Sequence, residues 1–149
     1  MTTPPRAWKF GENTYLLEQP DLLWVEMHGG GSLREVTQTV ELYRQLGTVR
    51  PFFVISDLTH AEKLETDARQ YIDEHVRFEW ILGFIYINAR LLHRATAMGL
   101  LIAYELTRLE KHPWRGKVHF VSTPPQARTL YAQLRAQSGQ PEDSSSAPH

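Results

Sequence analysis

Between residues 57 and 69 the chain reads Asp57-Leu-Thr-His-Ala-Glu-Lys-Leu-Glu-Thr-Asp-Ala-Arg69, with four carboxylates and two threonines in thirteen positions. Two kinds of chemistry are open to it. Carboxylates that share a dry pocket do acid–base work, because a neighbouring charge pushes their protonation apart. Asp57 is the leading residue for that role, since it ends an apolar run and ligands of open α/β sheets gather where strands end. Its plainer reading is a carboxylate that accepts loop N–H bonds. The second chemistry is modification. Thr66 stands where a helix N-cap belongs, facing free backbone N–H groups and the positive end of the helix dipole, which favour a phosphate. Thr59, Glu65, Asp67 and Arg69 complete this surface.

Other constellations are weaker. His28-Gly29-Gly30-Gly31 resembles an oxyanion loop, but no Gly-x-Ser-x-Gly elbow accompanies it, so a small hydrolase built on His28 is a remote reading. The same loop lacks the lysine of a P-loop and the spaced glycines of a dinucleotide site. Seven histidines show no paired metal-ligand spacing, and neither a metal nor a cofactor is expected. Arg90, His93 and Arg94 precede an apolar stretch, Ala97–Tyr104, and would attract an anionic head group. That stretch suggests either one wall of a cavity for a lipid-like ligand or a homodimer contact.

The elements that position these residues follow from periodicity and caps. Strands are expected at Thr14–Glu18 and Leu22–Met27, joined as a hairpin by Pro20-Asp21. Ser32 and Glu35 form a capping box, and Leu33, Val36, Val40, Tyr43 and Leu46 make one apolar stripe that Gly47 should end. Phe52–Ser56 reads as a core strand. A second helix opens at Thr66 and carries Ala68, Tyr71, Ile72, His75 and Phe78 on one broad face, as packing against a sheet requires. Ile81–Asn88 is a further strand, 91–111 a third helix, and Lys117–Ser122 the last strand. Thr123-Pro-Pro-Gln126 then opens a helix with Ala127, Leu130, Tyr131 and Leu134 inward. The order β-β-α-β-α-β-α-β-α predicts an α/β domain: one open, mainly parallel sheet with an initial hairpin and four helices. Residues 1–12 are expected to be a lead, 13–136 the domain, and 137–149 a disordered tail poor in apolar side chains.

Composition bounds the function further. The 149 residues suit one domain with its own core, and the absence of cysteine fits a reducing, cytoplasmic setting. Sixteen basic against seventeen acidic residues give a net charge of −1, so nothing draws the chain generally to nucleic acid or anionic lipid. No run is apolar enough for stable membrane insertion.

The order of elements, with Asp57-Leu58-Thr59 at a strand end and Leu64-Glu65-Thr66 at the next helix start, resembles the STAS domain of bacterial anti-sigma-factor antagonists. In that family an Asp-Leu-Ser-like triplet ends the strand, and the next helix opens with Asp-Ser-Ser-Gly-Leu, whose serine a partner kinase phosphorylates. Thr66 falls on that serine. Asp67-Ala68-Arg69 replaces the Ser-Gly-Leu continuation, which with the long third helix looks like a divergent branch leaning toward Sec14-type lipid-binding domains. The resemblance implies a non-enzymatic regulatory module whose partner is an anti-sigma factor or a kinase-like protein.

Overall fold

A computed structural model describes residues 6–18, 20–29, 31–62, 65–89 and 117–138. Strands β1 (Arg6–Phe10), β2 (Asn13–Glu18) and β3 (Leu22–Glu26) form an antiparallel meander. Strands β4 (Phe52–Asp57), β5 (Ile81–Ile87) and β6 (Val118–Val121) add to it in parallel, so the mixed six-stranded sheet follows the order of the sequence. The α/β class is as expected, while the opening hairpin is a three-stranded meander. Its first strand lies inside the stretch read as a lead. There Trp8 and Phe10 alternate with exposed residues and pack on the core, and the Arg6 guanidinium lies 5.1 Å from the Trp8 ring.

Helices α1 (Leu33–Val49), α2 (Thr66–His75) and α3 (Pro124–Gln137) are the α-helices among the described residues, against four expected. The expected third, 91–111, with the dimer contact and cavity assigned to it, lies outside the described residues. Ser32 and Glu35 form the anticipated capping box, and the Thr123 hydroxyl accepts from the Gln126 amide at 3.3 Å. Gly47 does not stop α1. A Cβ there would come within 2.3 Å of the Trp80 Cβ, so this glycine admits the tryptophan against the helix instead of ending it. Phe78 is not on α2 either: that helix ends at His75, which as its last residue is exposed and not on the packed face, and Phe78, 46% exposed, opens a 3-10 turn running to Trp80.

Two cores flank the sheet. On one face α1 and α2 pack Val36, Val40, Leu46 and Ala68 over Leu23, Val25, Phe52 and Val54. On the other, α3 sets Ala127, Leu130 and Leu134 over Leu22, Phe53, Ile55 and Ile85. Alternation along β4 sends Phe52 and Val54 to one core and Phe53 and Ile55 to the other. Each such buried side chain stabilises the fold by about 1.5–3 kcal/mol.

Polar groups fasten α3 to the meander. The Arg135 Nε donates to both Asp21 carboxylate oxygens at 3.2 Å, and the Tyr131 hydroxyl donates to Asp21 Oδ1 at 2.6 Å. The Asp21 side chain is wholly buried and that of Arg135 is 10% exposed. Two turns before Arg135, Arg128 grips Glu18 through two bonds of 2.9 Å. Because a buried pair costs most when only one member is removed, Arg135→Met is expected to lower unfolding free energy by about 3–5 kcal/mol in urea melts. Adding Asp21→Asn should recover part of that loss.

Burial raises the pKa of Tyr15, Tyr43 and Tyr131 and pushes Tyr86 up to about 12. A hydrogen bond to the Asp21 carboxylate reinforces the rise at Tyr131. A phenol held neutral by the fold contributes stability that is complete below the unfolded value of about 10 and is lost as pH rises toward the folded value. Stability should therefore fall above about pH 10. Absorbance at 295 nm should register ionisation of these tyrosines together with loss of helical circular dichroism, not before it.

Candidate functional site

The C-terminal ends of the parallel strands meet at one edge of the sheet, where the β3–α1 and β4–α2 loops run side by side. Three backbone bonds staple this edge: Met27 N–H to Asp57 O at 3.1 Å, Leu58 N–H to Ile87 O at 3.0 Å and Asn88 N–H to Val121 O at 2.8 Å. Two more join the loops themselves. The Glu62 and Glu65 amides donate to the Gly29 and Gly31 carbonyls at 3.1 and 3.0 Å. The His28 and His60 rings stack above this seam, 5.6 Å between centroids and 14° from parallel, with His28 Nε2 3.6 Å from Glu26 Oε1.

Asp57 makes the loop hydrogen bonds of its plainer reading. Its Oδ1 accepts from the Thr59 amide at 3.0 Å and the Thr59 hydroxyl at 2.6 Å. The Asn88 side-chain amide in turn donates to the Thr59 hydroxyl oxygen at 3.2 Å. Asn88 has a φ of 55°, in the left-handed region that asparagine tolerates better than most residues. Asp57, Thr59 and Asn88 thus link the exits of β4 and β5, a connection that local sequence does not announce.

Thr66 is one position later than expected. The N-cap of α2 is Glu65, in extended conformation with φ −69° and ψ 152°, and Thr66 is the first helical residue. The cause is the Glu65–Gly31 bond, which holds Glu65 extended beside the neighbouring loop so that the helix begins only after it. The Glu65 side chain caps nothing, leaving first-turn N–H groups without a side-chain acceptor. Glu65, Thr66 and Asp67 are exposed, and Arg69 is half-buried one turn on.

The structure therefore gathers Asp57 and Thr59 into one hydrogen-bonded unit and sets Glu65, Thr66, Asp67 and Arg69 on the opening turn beside it. Arg90, His93 and Arg94 lie outside the described residues. The glycine loop is occupied: the His28 and Gly29 amides donate to the buried Asn13 Oδ1 at 2.9 and 3.2 Å, so these two do not face an open oxyanion position. Among the described residues no three His, Asp or Glu side chains are placed to hold a metal ion. Sequence reading missed Asn13 and Asn88. Their only signals were an asparagine just after the Gly11 turn and one closing an apolar strand.

No protein-family model matches the chain, and comparison with curated proteins gives no match. Among the described residues no helix is long and apolar enough to cross a membrane.

The role of Asn88 is testable by two substitutions. Both Asn88→Gly and Asn88→Val lose the bond to Thr59, but only valine also resists a positive φ. Asn88→Val should cost about 1–2 kcal/mol more than Asn88→Gly in urea unfolding.

Proposed function

We propose that the chain is a non-enzymatic regulatory protein-interaction module, similar in kind to an anti-sigma-factor antagonist. Its partner-facing surface is the Asp57–Arg69 junction with the adjoining β3–α1 loop. The observation that carries this reading is Thr66 itself: an exposed hydroxyl that makes no hydrogen bond among the described residues, on the first turn of a helix whose N-cap side chain caps nothing. A kinase needs an accessible hydroxyl, and the product phosphate needs donors. Here the free first-turn N–H groups and the helix dipole favour a phosphate, and the Arg69 guanidinium, three residues along the same helix, is within reach of it. Glu65 and Asp67 oppose it. A phosphate adds about −1.5 to −2 charge to an already acidic turn, so modification would release a partner that docks on the unmodified surface.

The rigid part of the module is the Asp57–Thr59–Asn88 unit, which fixes the loop on which such a partner would rest. The partner is an anti-sigma factor or a kinase-like protein, the class that the resemblance implies.

The test is affinity capture from native lysate with the wild type, Thr66→Ala and Thr66→Asp, together with mass spectrometry of the peptide containing Thr66. A protein partner held by wild type and Thr66→Ala but lost with Thr66→Asp, and a phosphorylated Thr66 in cells, are the expected results. An unmodified peptide with equal capture by all three forms would overturn the switch.

A further inference from the structure

Among the described residues, no helix covers the part of the second sheet face that the meander forms. α3 covers that face from β5 as far as β3, and its Arg128 guanidinium, 4.5 Å from the centre of the Trp24 ring, marks where the helical layer stops. Past Arg128 lies an apolar groove of about 470 Å³ on β1–β3, with Ala7, Lys9, Thr14, Leu16, Trp24 and Glu26 in its lining. Leu16 is 38% exposed there.

The strand register arranges these six side chains in two rows across the sheet. Lys9 pairs with Thr14 and Thr14 with Glu26; Ala7 pairs with Leu16 and Leu16 with Trp24. Each row is complementary to its own reverse. A two-fold axis running along β2, between two copies laid face to face, sets β1 of one copy over β3 of the other. Lys9 then meets Glu26, Ala7 meets Trp24, and Leu16 meets its own counterpart on the axis. Opposite charges oppose, the smallest side chain meets the largest, and the apolar centre is symmetric, as an isologous contact requires. Lys9 forms no ion pair among the described residues, and Glu26 has only the 3.6 Å contact with His28, so both charges are available.

We infer that this face binds a second copy of the chain as a face-to-face dimer centred on Leu16. Three short strands make a small interface, so the dimer forms with a Kd on the order of micromolar. It leaves the Thr66 turn outside the contact and does not rest on modification of that residue.

Sedimentation equilibrium of the full chain over a concentration series up to a few hundred micromolar tests the inference. Wild type should dimerise. Lys9→Glu alone or Glu26→Lys alone places like charges opposite one another twice per dimer, and each should weaken association by about tenfold or more. The double swap should restore it, and Leu16→Glu should give monomers. All three positions are exposed, and circular dichroism would verify that each of the four variants folds. A wild type that stays monomeric throughout, or a dimer indifferent to the charge swap and to Leu16→Glu, would overturn the proposal.

Discussion

Everything in this fold follows from the need to bury β4 on both sides. Phe52, Phe53, Val54 and Ile55 are all at most 2% exposed, and their alternation commits neighbouring side chains to opposite faces. A strand of that kind is stable only with hydrogen-bonding neighbours on both edges and a layer on each face. β3 and β5 supply the edges, α1 and α2 one layer, α3 the other. The polar end of the same strand must leave the core where the layers end. Asp57 therefore appears at the sheet edge beside two loops, and the candidate site is a direct product of the core's geometry.

What could be read in advance tracks the range of the interactions involved. Capping signals act within three residues, and those at Ser32 and Thr123 correspond to real helix starts. Apolar periodicity likewise located the strands from β2 onward, the stripe of α3 and most of that of α1, from which Leu33 drops out at 38% exposed while Leu42 is buried. Features that depend on a distant partner were not visible. β1 exists because β2 pairs with it, and its five residues alone resemble a lead. Gly47 looks like a helix stop until Trp80, thirty-three positions away, is found against it. Thr66 is displaced from the cap because Gly31, on another loop, holds Glu65. In the site, the residue types on the junction were legible from the sequence. Their division into a hydrogen-bonded loop anchor and an exposed helical turn was not, because Asn88 and Asn13 act across strands.

The junction combines stiffness and access in a way that suits recognition. At its described residues the backbone is stapled by hydrogen bonds between strand ends and between loops, which lowers the ordering cost of binding there. Its outward side chains, by contrast, are solvated and mostly acidic. Rigidity comes from the main chain and specificity is left to side chains, the division that lets such a loop change its partner without changing its path.

The Asp21–Arg135 pair also has a consequence for how the chain comes into being. Asp21 sits at the start of β3, yet the guanidinium that neutralises it is 114 residues later. A ribosome releases the meander and the central strands long before Arg135 emerges. Until then a carboxylate destined for the interior has no counter-charge, and the face that α3 will cover is open. Vectorial synthesis thus delays closure of the second core, and the nascent chain passes through a stage in which half of its sheet is exposed to whatever meets it first.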